Sequence, residues 1–346
     1  METILLLAHT ETDGTLARPA REALHVAAEL HKSLSGSKLV VGLVGESVQP
    51  AADSIASCPA TKYFGVTGKD FGQSRYATDA AAAEAICKAA QATLVVAPAT
   101  SRWNRALPGV AQRLGGRADT HVAGVSVHDG EIAVNRWYYR QRMEAVLQRT
   151  QRPWFMLMDP GSPPACQCRG GTTSVETLAI QLSDACQRTA VIGVRAPAAD
   201  AQTIRPDAGV LFVTGAGWTK KQADGQSHVP EAEKLILDFL KLARASLGSS
   251  KSLVDQSGEG QAVLSFLSHL NQVGQTGATP RHPKGLSTCC HGEEPHTVGW
   301  RFIAERRAIN LDPNCGWARG KADVLYVADA FNVMDRVNGL LAAKSS

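Results

Sequence analysis

The sequence is short of aromatic residues, of net charge and of long apolar runs, and each shortage excludes something. Aromatics make up only 5% of the 346 residues while glycine is plentiful. That composition argues against an aromatic-rich β-sandwich and for helices packed tightly on sheets. The net charge of +4 is too small to drive binding to nucleic acid, and no run of lysine and arginine forms a phosphate-tracking stripe. No stretch approaches the ~20 apolar residues of a membrane span. The opening "METILLLAHTETDG" has too short an apolar run for a secretory signal, and Glu2 stands before it. The eight cysteines (Cys58, Cys87, Cys166, Cys168, Cys186, Cys289, Cys290 and Cys315) contain no CxxC. Scattered thiols of this kind are expected in a reducing, cytoplasmic compartment. No Ser/His/Asp or paired-carboxylate arrangement can be argued, so no catalytic residue is assigned.

What is present reads as a two-domain α/β protein. Hydrophobic residues are 44% and charged residues 20%, normal for a globular chain long enough for two cores. Short apolar runs predict strands at Thr3 to Ala8, Lys38 to Val44, Thr61 to Val66 and Ala92 to Ala97. Between them, apolar residues three and four apart predict helices, notably Ala17 to Leu30 and Ala77 to Gln91. Alternation at this pitch means βαβ units and a parallel sheet covered on both faces. After Thr120 the pattern becomes antiparallel hairpins, with Asp129-Gly130 as a tight turn.

Residues 159–174 are rich in proline and glycine and cannot hold a regular element; they are expected as a flexible loop within a first domain of residues 1–200. "VETLAIQL" and "TAVIGVRA" read as further strands. A hinge is expected at Pro197 to Gly209, before a second α/β domain over residues 205–346. That domain has a predicted strand at Val210 to Gly215, a helix at Glu231 to Gly248, strands at Arg306 to Leu311 and Asp323 to Asp329, and a last helix from Asn332 to Ala343.

Three glycine motifs could hold a phosphate. "TGAG" after Val210 keeps only two glycines of GxGxxG, with Lys220 where the third belongs. "GVTGKD" lacks P-loop spacing and reads as a turn. "QVGQTG" (Gln272 to Gly277) is stronger. Two glycines three apart let backbone N–H groups face a ligand, and Thr276, Gln272 and Gln275 add polar side chains. Cys289, Cys290, His291, His296 and His282 match no standard metal-ligand spacing, so no metal is assigned. Cys166 and Cys168 form a CxC whose redox or metal use depends on exposure.

The order of these segments resembles the cofactor domain of the alpha subunit of electron transfer flavoproteins. The resembling segments are "SKSLVD", "QVGQTG", "CCHGEEPH", "AINLDP" and "ADVLYVADAF", and the span from Thr276 to Asn310 fits the family pattern without a gap. "SRWNRALPGVAQRLGGRADTHV" and "NRWYY" extend the resemblance into the first half. It implies an N-terminal doubly wound sheet, adenine-nucleotide-hydrolase-like, and a C-terminal Rossmann-like FAD-binding domain. It implies a heterodimer with a beta subunit that usually carries AMP. FAD would be the cofactor, a dehydrogenase the electron donor and a membrane quinone oxidoreductase the usual acceptor.

Carried over position by position, the resemblance implies a hydroxyl donor to flavin N5 at Thr276, with Gln272, Val273, Gly274, Gln275 and Gly277 around the ring. His296 would sit near flavin O2, and Lys251 beside the ring in place of an arginine. Asn310 and Asp329 would meet the adenosine end, and Ser250, His291 and Gly292 the pyrophosphate. Asp255 is expected to be structural. The chain departs from the family where an arginine is replaced within "GAG"; Trp218, Lys220 and Lys221 are the candidate substitutes. Ala278 replaces a lysine, and Glu293 and Glu294 bring negative charge to the pyrophosphate turn. The alternative is therefore a descendant with an altered or lost FAD site acting as a nucleotide-binding regulatory subunit.

Overall fold

An unbroken apolar run makes β1 (Thr3–His9), and its alternate side chains settle the architecture around it. Ile4, Leu6 and Ala8 pack into one core with Ala23, Leu24 and Ala27 of α1 (Arg18–Ser33). Leu5 and Leu7 point the other way, into a second core with Ala83 and Ile86 of α4 (Tyr76–Ala90) and Trp103 and Leu107 of α5 (Ser101–Arg113). A strand buried on both faces needs apolar residues at every position, which is why its sequence does not alternate. The structure, a computed structural model, describes residues 1–139, 143–193, 204–205, 208–255, 262–273, 282–288, 303–315 and 322–345. The chain divides into two compact units, Met1–Arg195 and Ala196–Ser346.

In the first unit β1 lies between β2 (Lys38–Gly45) and β4 (Leu94–Pro98), parallel to both. The full order is β7-β6-β5-β8-β4-β1-β2-β3-β9. Here β3 is Lys62–Thr67, β5 Arg117–His128, β6 Glu131–Tyr138, β7 Met143–Leu147, β8 Trp154–Met158 and β9 Glu176–Thr177. The strands from β5 through β8, β4, β1, β2 and β3 to β9 are parallel, and β6 and β7 add an antiparallel edge. The hairpin between β5 and β6 turns at Asp129 and Gly130, both at positive φ (53° and 82°), as a tight turn of this sense requires. The short helices α2 (Gln49–Ser54), α3 (Lys69–Gly72) and α6 (Asp184–Gln187) complete the unit among the described residues.

The second unit holds five parallel strands in the order β11-β10-β12-β13-β14. They are β10 (Val210–Thr214), β11 (Ser246–Ser249), β12 (His282–Thr288), β13 (Ile303–Asn310) and β14 (Val324–Val327). Phe212 and Leu247 face a core with Leu235, Ile236 and Phe239 of α7 (Val229–Ala243) and Met334 of α9 (Ala330–Ser345). Leu211 and Val213 face the other side, with Val273, Ile303 and Ala308. The short helix α8 (Lys251–Asp255) follows β11. The chain is thus a mixed α/β protein with one large, mostly parallel sheet and a second parallel sheet. Among the described residues no helix is long and apolar enough to cross a membrane.

Several local expectations are corrected. The helix expected through Gly248 ends at Ala243, because Arg244 takes a left-handed conformation (φ 48°) and Ser246–Ser249 is a strand. "VETLAIQL" contributes only the two-residue β9; Leu178, Ile180 and Leu182 pack on the core as irregular chain. The described part of "TAVIGVRA", residues 189–193, is not a strand. The central strand β12 was not foreseen. Most of the hinge expected at residues 197–209 lies outside the described residues. Residues 159–174 form no helix or strand, yet backbone hydrogen bonds tie them to α1 and α2: Cys166 N–H to Arg21 O (3.0 Å) and Gly171 N–H to Asp53 O (2.9 Å).

Candidate functional site at the carboxyl edge of the second sheet

The chain leaves β10 for β11 on one side and later returns to β12 on the other. In open parallel sheets such a reversal leaves a crevice beyond the carboxyl ends of the diverging strands, where ligands bind. Here the crevice lies beyond Thr214 and Thr288, which pair in register. After the extended Gly215, Ala216–Thr219 form one short 3-10 helix. Trp218 is fully buried: its Nε1 donates to Thr288 Oγ1 (2.8 Å) and its ring lies 4.7 Å from that of Phe331.

To one side is a cavity of about 330 Å³ lined by Gly217, Lys221, Gln222, Asn310, Leu311 and Asp329, among others. Asn310 and Asp329, expected together at the adenosine end of a cofactor, do share this cavity. Both side chains also serve the fold. Asn310 Oδ1 accepts from Asp312 N–H (3.0 Å), and Asp329 Oδ1 accepts from Asn332 N–H (2.9 Å), capping α9. Next to the rim, Asp224 pairs with His228 at 2.7 Å. The Gln226 amide and His228 hold its carboxyl below the ordinary range.

On the far side of β10, at the end of β11, the structure gathers Ser250, Lys251, Gln272 and Val273. Ser250 N–H donates to Thr214 O (2.9 Å) and its Oγ accepts from Leu253 N–H (3.3 Å), so this buried serine starts α8. Lys251 is half exposed and pairs with Asp255 (3.6 Å), which also meets His269 (3.4 Å). Gln272 bridges to Ser249, and Val273 N–H donates to Ser249 O (3.0 Å). Val273 lies directly over Gly248, where an added Cβ would stand 2.5 Å from Val273 Cγ2. Only glycine there lets the segment entering "GQTG" lie against the sheet edge. Gly274, Gln275, Thr276, Gly277, His291, Gly292 and His296 lie outside the described residues, as do Cys289, Cys290, Glu293 and Glu294.

The structure separates the three candidate substitutes for the missing arginine. Trp218 belongs to the core, and Lys220 is exposed and does not line the cavity. Lys221 lines the cavity with Asn310 and Asp329. Gln222 and Leu311 were missed: Gln222 sits in no motif, Leu311 follows Asn310 within "AINLDP" without a polar group to mark it, and only the folded turns bring them to the cavity. A carboxylate, an amide and an ammonium around one cavity suit the hydroxyls and phosphate of a nucleotide. Among the described residues no group of three or more His, Cys, Asp and Glu side chains is placed to hold a metal.

The first unit has its own reversal, between β1 and β4, where His9 at the end of β1 meets Thr100 beyond the end of β4. His9 Nδ1 lies 3.4 Å from Thr10 O, a carbonyl that can only accept, so Nδ1 carries the proton. His9 Nε2 then accepts from the Thr100 hydroxyl at 3.1 Å. Burial, with the Arg102 charge adding, pushes His9 down to about 4.

The family model described as electron transfer flavoprotein domain matches residues 4–185, more than half of the chain. The chain belongs to the electron transfer flavoprotein family. No curated protein matches it closely enough to count as a relative. The matched segment lies within the first unit, so the cavity at Asn310 and Asp329 belongs to the part beyond the match. A general role in flavoprotein electron transfer follows from the family.

Proposed function

We propose that this chain is the alpha subunit of a heterodimeric electron transfer flavoprotein and binds FAD along the carboxyl edge of the second sheet. The observation that carries the reading is the cavity holding Asn310, Asp329 and Lys221, with Ser250, Lys251, Gln272 and Val273 at the neighbouring end of β11. Bound FAD would supply the redox chemistry, taking electrons from a donor and passing them on. The chain's own residues hold it. Asp329 accepts hydrogen bonds from ribose hydroxyls, Asn310 offers an amide, and Lys221 faces a phosphate. The segment that Val273 anchors on Gly248 leads into Gly274, Gln275, Thr276 and Gly277 around the ring, with Thr276 donating toward N5 and Lys251 as the nearby cation. His291 and Gly292 would face the pyrophosphate and His296 the pyrimidine end of the ring.

The partner is the beta subunit, usually AMP-bearing; a dehydrogenase is the donor and a quinone oxidoreductase the acceptor. Co-expression with a beta subunit and a visible spectrum tests the assignment. A flavin spectrum that stays with the heterodimer through gel filtration supports it. A heterodimer that remains colourless with added FAD would sink it, leaving a nucleotide-binding regulatory subunit as the reading to pursue.

A further inference from the structure

Two thiols in the first unit have no part in the reading above. Residues 159–174 cross α1 and α2 as a strap held on both sides of Cys166 and Cys168. Gly161 N–H donates to the buried Glu22 carboxylate (2.8 Å) and Cys166 N–H to Arg21 O (3.0 Å). Beyond Cys168, Ser57 N–H donates to Arg169 O (3.2 Å) and Arg169 N–H returns a bond to Ser57 Oγ (2.7 Å). Between these ties the Sγ atoms of Cys166 and Cys168 stand 2.7 Å apart. Both are partly buried against the core, and Gln167 between them is exposed.

Burial, with Cys166 beside it, pushes Cys168 up to about 12, so it is geometry that sets the pair apart from the other described thiols. Cys58 lies against the same cluster, 7% exposed, with its Sγ 3.1 Å from Tyr63 Oη, and burial pushes its thiol up. Cys87 is 3% exposed and pushed up to about 12 by burial. Cys186 Sγ lies 3.5 Å from Ser183 Oγ, with no second sulphur beside it among the described residues. Reversible oxidation favours an accessible thiol with a resolving thiol already in place, and among the described residues only the 166–168 pair has both.

We infer that Cys166 and Cys168 form a thiol–disulfide exchange site whose substrate is a low-molecular-weight disulfide. One cysteine, as thiolate, attacks a sulphur of the small disulfide and expels its other half, which takes up a proton. The second cysteine loses its proton to solvent and attacks the first, expelling the other half as a second thiol. The pair gives up two electrons and two protons; the small disulfide becomes two thiols. The sulphurs need only a small closure to reach bonding distance. The strap's ties to Arg21, Glu22 and Ser57 hold them in register while that happens.

The test uses the full chain, reduced and then incubated with oxidised glutathione. Remaining thiols are blocked with N-ethylmaleimide under denaturing conditions and the peptides are mapped by mass. Expected is the loss of two of the eight thiols, with the peptide spanning residues 159–174 lighter by two hydrogen atoms and restored by dithiothreitol. Cys166→Ser and Cys168→Ser should each stop that loss and trap a glutathione adduct on the remaining cysteine. Cys58→Ser should leave the oxidation unchanged. Full alkylation of Cys166 and Cys168 after Cys186 has reacted overturns the inference. So does an unresolved adduct in the wild type, a link from either residue to Cys58, or loss of the reaction in Cys58→Ser. None of these readouts depends on a bound flavin.

Discussion

The indole Nε1 of Trp218 donates to Thr288 Oγ1 over 2.8 Å, and that hydroxyl donates onward to Val213 O at 3.2 Å. The two bonds lock the turn after β10 to the last residue of β12, where the segment expected to meet a pyrophosphate begins.

Trp218→Phe keeps an aromatic ring against Phe331 but removes the N–H together with part of the buried indole. A net buried hydrogen bond of this kind contributes about 1 kcal/mol, and the space left by the smaller ring adds a cost of similar or larger size. The variant should unfold at lower urea, destabilised by about 2–4 kcal/mol, and should bind FAD more weakly. Equilibrium unfolding followed by circular dichroism, with flavin fluorescence titration alongside, measures both. Unchanged stability would show that neither the bond nor the packing of the indole holds the turn.

Lys221 is the cation that the fold brings to the cavity. If it faces a cofactor phosphate, Lys221→Ala removes one charge-assisted hydrogen bond, of about 1.5–3 kcal/mol. FAD affinity should fall roughly ten- to a hundredfold. Lys220→Ala, one position away and off the cavity, should bind as the wild type does. Equal effects from both lysines would indicate a diffuse electrostatic contribution instead of a contact.

The case of Lys221 shows how far the site was legible. Motif order pointed to Asn310 and Asp329, and the fold joins them in one cavity. Three candidates for the missing cation could not be separated in sequence, because the burial of Trp218 and the place of Lys221, and not Lys220, on the cavity are set by the fold and not by local pattern. The same limit hid β12. "HPKGLST" has neither an apolar run nor alternation; it is a strand because β10 and β13 flank it and their ladders pair its backbone. The end of α7 was hidden too. "ARASLG" has adequate helix formers, but Gly248 must be in a strand for Val273 to lie over it. By contrast β1, β2 and β4, buried on both faces, announce themselves as apolar runs. The β5–β6 hairpin was legible because Asp129-Gly130 is among the few pairs that accept positive φ twice.

Lys251 tests the ring side of the site. It is half exposed and shares its charge with Asp255 at 3.6 Å. A cation near the ring favours the more negative, reduced flavin, so Lys251→Ala should lower the midpoint potential. Screening by solvent and Asp255 limits the effect to the order of tens of mV. FAD should stay bound. A redox titration of the heterodimer reads the shift, and an unmoved potential would remove Lys251 from the ring's surroundings. Thr276→Ala, measured the same way, tests the assigned N5 contact.

His9 predicts how the first unit responds to acid. Burial, reinforced by Arg102, takes its value from 6.5 down to about 4, so the unfolded chain binds the proton more readily than the folded one. Stability from this group is complete above the unfolded value of 6.5 and is lost as pH falls toward about 4. The difference corresponds to about 3 kcal/mol. His9→Gln keeps a side-chain amide within reach of Thr100 and cannot titrate. Across that pH window the wild type should lose about 3 kcal/mol more than His9→Gln, measured by urea unfolding at a series of pH values. Carboxylates such as Asp79, which burial raises above its ordinary value, are common to both proteins and cancel in the difference. Parallel curves would mean that water or a shifted side chain accommodates the imidazolium, and that the 3.1 Å contact with Thr100 does not hold the ring neutral.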